Sequence, residues 1–533
     1  MPRTSAMARL RRVLSLALHC ERTSVPAREA VEQLRDEARV DKRRRRVLSA
    51  LGVAGLTPLA GTLPKSYAAR PFNGRAGIVG AGLAGLSCAH QLSAKRILAS
   101  VYEASDRVGG RCWSLHNLFP GQVAERGGEF IDTTHVTMRG FANAFGLTME
   151  EVTKEPGEVA YYFDGQHYAE AQVVDEFRAF MPAMQADLRT LGRPTADKFS
   201  EADRRLDLTT LSDYLASRGA GNLIRQVIDV AYTIEYGLEI SEQSCLNLLL
   251  FIHADRRSKF RPFGVFSDER FHVVEGNDAI AQGLSDGIAG QVPISLGHRL
   301  VRVRKLHTGR IQLAFDVGSR TVEVEHDAVV LAMPFSVLRQ VELDASLGLP
   351  DWKLAAINNF QYGTNSKMMI GFNGRPWLEL HDSNGTSYSD LSNHQNTWET
   401  NAARSTSGSA ILTDYSGGLR GAGLRPTKVQ REAEQFLVDL DKVYPGSFQY
   451  AARDMKGKVR VHLENWSLNP FALGAYTCNA PGYFTSIAGN EAKPVGNLFF
   501  AGEHTDSFYL AQGFMEGAAN SGLQAATEVA ALG

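Results

Sequence analysis

The chain has 533 residues, with 57 Lys and Arg against 58 Asp and Glu, 50 Gly, 19 Pro and 5 Cys. At about 150 residues per domain, that length makes roughly three to four domain equivalents and a core needing no disulfide or structural metal. Hydrophobic residues at 44% and charged residues at 22% exclude wholesale disorder, collagen-like repeats and coiled coil. A formal charge of -1 argues against a nucleic-acid footprint spread over the whole molecule.

The charge is unevenly placed. Residues 1–70 carry 15 basic and 6 acidic side chains, which leaves 42 and 52 for an acidic body. The cysteines Cys20, Cys88, Cys112, Cys245 and Cys478 are scattered, with no CxxC, and no two histidines take a zinc-ligand spacing. Neither a disulfide framework nor a metal site is indicated. Each cysteine reads as a small buried hydrophobe.

In chain order, the polar stretch from Pro26 to Val40 reads as a helix. Arg43 to Arg46 follow, then an uncharged run to Leu63 interrupted by Gly52, Gly55, Pro58 and Gly61. Those breakers suit a bilayer-spanning helix poorly. A basic region, a mild apolar region and the small residues of Ser66-Tyr67-Ala68 have the layout of a secretory signal. The paired arginines resemble a twin-arginine signal, which carries folded proteins. Residues 1–69 are therefore expected to be an export leader, with the mature chain starting near Ala69 in the periplasm or outside the cell. If the leader is only a basic arm, the protein is cytoplasmic.

Ala76 to Gly80 predicts a strand, Leu83 to Ser93 a helix and Leu98 to Glu103 a second strand, a unit that implies a parallel sheet. Tyr161-Tyr162-Phe163 and His167-Tyr168 flank Asp164-Gly165, a hairpin signal. Residues 172–255 read as mostly helical. Leu300 to Val303, Ile311 to Phe315 and Thr321 to Val324 look like a meander, and Ala328 to Ala332 like a strand covered on both faces. A helix is expected from Thr427 to Tyr444, stopped by Pro445-Gly446. Asn497 to Ala501 reads as a last strand, then Gly502 as a turn, then a helix through Gly513 to Leu532. Parallel-sheet elements at the start, middle and end suggest one nucleotide-binding domain assembled from three segments.

Gly80-Ala81-Gly82-Leu83-Ala84-Gly85 is a GxGxxG between strand and helix. Its glycines suit a tight turn, backbone approach to a pyrophosphate and close helix packing, with the helix N-terminus facing the anion. Glu103 ends the second strand where an acid would accept ribose hydroxyls. Two glycine doublets, Gly109-Gly110 and Gly127-Gly128, would let the backbone approach a bulky planar ligand such as a flavin dinucleotide.

The run from Gly77 to Gly128 resembles the N-terminal signature of the flavin-containing amine oxidases, which include monoamine, polyamine and L-amino acid oxidases. The likeness continues in Lys367 to Phe372, Asn465-Trp466, Gly474-Ala475-Tyr476, Asn497 to Thr505 and Gly513 to Ala518. It implies an α/β plus α+β fold. A Rossmann-like FAD-binding domain would be built from residues 70–135, 269–335 and 491–533. A substrate domain with a mixed sheet and helices would occupy 136–268 and 336–490.

The resemblance also implies roles. Gly80, Gly82, Gly85 and Glu103 would hold the ADP half of FAD, Arg111 the pyrophosphate region, and the Val301 backbone the adenine. Gly128 and Glu129 would border the flavin ring, with Trp466 nearby. Glu503 would sit by the ribityl–phosphate segment, and Met515 where helix N–H groups face the flavin N1/O2 edge. Tyr476 and Phe514 match the aromatic pair that guides the substrate nitrogen, and Lys367 the lysine that holds a water near flavin N5. Ala475 stands where the monoamine oxidases tether FAD through cysteine, so FAD here is expected to be non-covalent.

The expected reaction is oxidative deamination of an L-amino acid to a 2-oxo acid, ammonia and hydrogen peroxide, with a primary amine or polyamine as the alternative substrate. A carotene-desaturase-like or porphyrinogen-oxidase-like enzyme would share the Gly80–Gly110 signature without predicting Lys367, Tyr476 or Phe514. Snake-type L-amino acid oxidases place a carboxylate-binding Arg after the second doublet, where Phe130 stands here, so another cation, such as an Arg from 250–262, would have to bind a substrate carboxylate. The partners on this reading are that small molecule and oxygen, with no nucleic acid, no transmembrane anchor and room for a homodimer.

Overall fold

The computed structural model describes residues 5–32, 72–152, 157–253, 269–405 and 408–532. The arginine block, the apolar run and the Ser66–Ala68 stretch lie outside these residues, as do the arginines from 256 to 261. All five cysteines are buried as free thiols. No helix among the described residues is long and apolar enough to cross a membrane.

Five parallel strands form the first sheet, in the order Leu498–Phe500, Ala328–Leu331, Arg75–Val79, Leu98–Tyr102, Ile294–Ser295. Ile78 lies in register with Val330 on one side and Val101 on the other. The central strands are near-continuous apolar runs because helices cover the sheet. The Leu83–Ala94 helix and the C-terminal Met515–Ala530 helix pack on each other, so closely that a Cβ at Gly522 would lie 2.0 Å from the Ala84 carbonyl oxygen. The three stretches that supply this sheet are the expected start, middle and end of the chain. The predicted meander is the antiparallel set Arg299–Lys305, Ile311–Val317 and Arg320–His326.

The second large sheet has seven strands, ordered Val461–Asn465, Ser366–Phe372, Ala410–Ser416, Asn396–Thr400, Ser383–Ser389, Glu158–Phe163, Gln166–Tyr168. It is mixed, since Ser383–Ser389 and Glu158–Phe163 run parallel. The last two strands are the expected hairpin, with Asp164 and Gly165 both at positive φ, the conformation a two-residue type I′ turn demands. Strand periodicity sets what each face meets. Met368, Ile370 and Phe372 pack with Phe436, Leu437 and Leu440 of the Val429–Val443 helix. The alternate residues, Lys367, Met369 and Gly371, therefore face the other way, where Met369 and Gly371 meet Phe119 of the nucleotide-binding half.

Two elements differ from expectation. The C-terminal helix begins only at Met515. After Gly502 the chain makes a short 3₁₀ turn, Glu503–Thr505, and then a loop in which Gly513 takes φ +86°, a backbone state that does not continue a right-handed helix.

The second difference is at the N-terminus, where Ser5–Thr23 is a helix the sequence reading passed over. Val13, Leu16, Ala17 and Cys20 recur at helical spacing and are buried in the main core, against the Glu170–Leu188 and Asn222–Tyr236 helices. Residues 27–32 form a second helical piece with Ala27, Ala30 and Val31 buried, and Glu21 pairs with Arg178 at 2.9 Å. A chain beginning at Ala69 would lack all of this. Leu16→Ala should therefore lower stability by about 2–5 kcal/mol in urea unfolding. An unchanged midpoint in enzyme purified from its native compartment would mean that the working chain has shed the helix.

Candidate active site

The three glycines of the strand–helix turn do three different things. Gly80 has φ +106°, and a Cβ there would lie 2.4 Å from the Ala332 carbonyl oxygen. A Cβ at Gly85 would lie 1.9 Å from the Gly80 carbonyl oxygen, so its absence lets the helix lie on the strand. At Gly82 a Cβ would meet only the Gly110 Cα, at 4.0 Å. That position opens into a cavity of about 520 Å³, within the usual size of a ligand site.

Beside the turn, Glu103 is buried and anchored. One oxygen accepts the Ala81 N–H at 2.7 Å, and the other accepts the Ser105 N–H and hydroxyl at 2.8 Å each. Farther along, the Arg111 guanidinium lies 3.1 Å from Glu503, whose second oxygen accepts the Thr477 hydroxyl at 2.6 Å. The Arg111 Nη1 is the atom that faces Glu503, and the pair is close without an aligned hydrogen bond; the guanidinium also lines the cavity, where its charge suits an anionic guest. These features fit the phosphates and ribose of a dinucleotide.

Val301 does not line this cavity; Arg299 and Leu300 do. The ladder with Ile311–Val317 slips between Leu300 and Arg302, leaving Val301 as the extra residue of a β-bulge. The second glycine doublet also has a reason other than the expected one. A Cβ at Gly127 would lie 1.7 Å from the Arg111 carbonyl oxygen, and one at Gly128 would lie 2.7 Å from the Met515 side chain. Backbone packing forbids a side chain at Gly127, whereas one at Gly128 would have to displace the flexible Met515 side chain.

The far end of the cavity is aromatic. It is lined by Phe130, Trp398, Tyr415, Tyr476 and Phe514, together with Lys367 and Glu129. Tyr476 follows Ala475 through a cis peptide bond, and its hydroxyl lies 3.4 Å from that of Tyr415. Phe514 is the N-cap residue of the helix that Met515 opens, and the edge of the His135 ring meets it at 5.0 Å. Burial pushes His135 down to about 3, so that ring is neutral. No side chain caps the Met515 helix, and its first N–H groups have no intrahelical acceptor. Trp466 packs with Ala472 and Ala475 while its indole N–H donates to the Arg126 carbonyl at 3.0 Å.

Lys367 sits in the second strand of the seven-stranded sheet, in register with Tyr415 on one side and Glu464 on the other. It is 3% exposed. Its Nζ donates to Glu129 Oε2 at 2.6 Å and approaches the Gly127 carbonyl at 3.3 Å. The Trp398 indole N–H donates to the other Glu129 oxygen at 3.1 Å. Asn277 holds the loop beneath, donating through Nδ2 to the Gly128 and Glu129 carbonyls at 2.9 and 2.7 Å. The Asn277 N–H in turn donates to Glu125, a buried carboxyl that desolvation pushes up to about 8.

Every site residue expected from the sequence except Gly85 and Val301 lines this one cavity, and Gly85 packs behind it on the Gly80 carbonyl. Trp398, Tyr415, Asn277 and Thr477 were missed. Trp398 and Tyr415 lie where no motif marks the chain and strand pairing brings them to the site, whereas Asn277 precedes the Asp278–Gly287 helix and Thr477 directly follows the Gly474–Tyr476 motif.

Residues 83–530 match the family of flavin-containing amine oxidoreductases. The chain is 24% identical over 470 residues to an L-amino-acid oxidase of Pseudechis australis, covering 85% of this chain and 86% of that protein. It is 23% identical over 468 residues to one from Naja atra, covering 85% and 87%. Among solved structures it resembles the cyclohexylamine oxidase of Brevibacterium oxydans, with TM-score 0.70 at 21% identity over 86% of this chain and 99% of that one. A putrescine oxidase bound to putrescine superposes with TM-score 0.70 at 18% identity over the same shares. At such identity the solved structures speak for the fold, and the family match, which runs from the first helix of the dinucleotide turn to the last helix of the chain, settles the class. The protein belongs to the flavin-containing amine oxidoreductases and is a flavin-dependent oxidase of amines or amino acids.

Proposed function

We propose that the protein is an FAD-dependent oxidase that converts an L-amino acid to the 2-oxo acid, ammonia and hydrogen peroxide. What carries the reading is one continuous cavity, running from a dinucleotide cradle at Gly82 and Glu103 to an aromatic chamber around Lys367. The full-length likeness to L-amino-acid oxidases supports the substrate class.

When bound, FAD would take a hydride from the carbon bearing a neutral amine and pass the electrons to oxygen, yielding an imine that water hydrolyses and hydrogen peroxide. Residues of this chain supply the rest. Gly82 and the helix behind it would receive the pyrophosphate, Arg111 its charge, and Glu103 the ribose. The Met515 helix N-terminus would favour negative charge on the ring edge it faces. Tyr476 and Phe514 would present their faces to the substrate and exclude water from the reacting carbon.

The side chains at hand support non-covalent binding. Ala475 has no nucleophile, and Cys112, the cysteine among the described lining residues, is held as a thiol by burial and by the nearby Glu125 and Asp278. The protein should purify yellow, and acid precipitation should leave all of the flavin in the supernatant. Flavin in the washed pellet would show a covalent link.

A simple amine is the second reading, and one observation favours it. At the aromatic end, the cation among the described lining residues is Lys367, and Glu129 already occupies it. A peroxide-release screen of holoprotein against the twenty L-amino acids, their D-forms, and mono- and polyamines separates the two. Turnover confined to amines would remove the amino-acid assignment.

A further inference from the structure

The Lys367 ammonium is buried, and an unpaired charge there would be costly. Several groups face it, and they sort into separate accounts. Glu464, on the neighbouring strand, pairs with Arg126 at 2.5 Å and lies 3.4 Å from His462. Glu125, behind the glycine loop, is pushed up to about 8 by burial, and its oxygens accept the Ser114 hydroxyl and the Asn277 N–H. Tyr415 and Tyr476 offer hydroxyls. That leaves Glu129 as the carboxylate at 2.6 Å, itself fixed by Trp398 and by the carbonyls that Asn277 pins.

We infer that Glu129 is a positioning residue for the oxygen half of the reaction, keeping Lys367 charged and held toward the cavity across the working pH range. This rests on the reading above that Lys367 faces the flavin. The Glu129 carboxylate does not meet oxygen or substrate. It acts through the lysine, by stabilising the buried ammonium at the cavity wall.

The pH profile of flavin reoxidation by oxygen tests this in holoprotein. In the parent, the rate should hold to higher pH than in the variant. In Glu129→Gln the ammonium loses its partner, so the rate should fall with rising pH at an ionisation on the order of 2 pH units lower. Below that ionisation the variant's rate should level off at its own plateau. Glu129→Asp retreats by one methylene and should give an intermediate profile.

The midpoint potential of the bound flavin gives a second readout. In Glu129→Gln it should lie above the parent's at acid pH, where the lysine charge is uncompensated, and converge on it at alkaline pH. A salt bridge that only braces the fold would move neither curve with pH. If Glu129→Gln does not fold, Glu129→Asp carries the test, and an unmoved profile there overturns the proposal. Lys367→Met separates the two readings. Unchanged reoxidation in that variant removes the role of Lys367 itself. Slowed reoxidation in Lys367→Met with a parental profile in Glu129→Gln removes only the role of Glu129.

Discussion

Gly82→Val is expected to yield a folded protein that carries no flavin. Gly82 has φ -74° and ψ -178°, extended backbone that a β-branched residue adopts readily. The protein around it has room, since the nearest atom to a new Cβ is the Gly110 Cα at 4.0 Å. What the branch would occupy is the space in front of the helix N-terminus, where a pyrophosphate needs direct access to backbone N–H groups. The loss should therefore fall on the cofactor and spare the fold.

The neighbouring glycine is the control. At Gly85 a Cβ would stand 1.9 Å from the Gly80 carbonyl oxygen, so Gly85→Val should fail to fold. Purified Gly82→Val should show the parent's secondary structure by circular dichroism and no flavin absorbance. It should also melt below the parent, because a ligand present at 1,000 times its Kd stabilises the native state by about 4 kcal/mol. Added FAD should not restore the difference. A yellow Gly82→Val with parental flavin content would place the cofactor elsewhere.

The contrast between those glycines shows how much of this site could be read before the structure. The turn, its helix and Glu103 are local in sequence, so motif and spacing were enough to place them. The hairpin at Asp164-Gly165 was legible for the same reason, since two residues at positive φ leave little choice of turn. Gly127 and Gly128 were legible as constraints but not in their cause, because the atoms that crowd them belong to Arg111 and Met515.

The chamber around Lys367 was less legible still. Glu129 and Lys367 are 238 residues apart, and Trp398 and Tyr415 reach them through the pairing of strands that no motif marks. Periodicity tells which face of its strand Lys367 occupies, but not what that face meets. The N-terminal helix failed differently. Its spacing at Val13, Leu16, Ala17 and Cys20 was visible, but Arg9, Arg11 and Arg12 made the segment read as part of a basic leader, and the apolar stripe was passed over.

Lys367→Met is expected to slow reoxidation by oxygen on the order of 10²-fold, the scale of deleting one preorganised electrostatic group. Hydride transfer from substrate needs no cation at that point, so anaerobic bleaching of the flavin should change much less. The pairing with Glu129 adds a consequence that the lysine alone would not have. Methionine keeps the apolar stem but leaves a buried carboxylate with only the Trp398 indole as donor, and breaking a buried pair costs about 3–5 kcal/mol. Lys367→Met should thus lose stability as well as oxygen reactivity. The double variant Lys367→Met with Glu129→Gln removes both charges and should recover most of the stability, since no ion is left unpaired. It should recover none of the oxygen rate, because the ammonium is still missing. Stopped-flow measurement of the two half-reactions, with urea unfolding of each variant, reads these effects independently. If the double variant regains fast reoxidation, the slow step in Lys367→Met came from a disturbed site, and Lys367 has no electrostatic part in the reaction with oxygen.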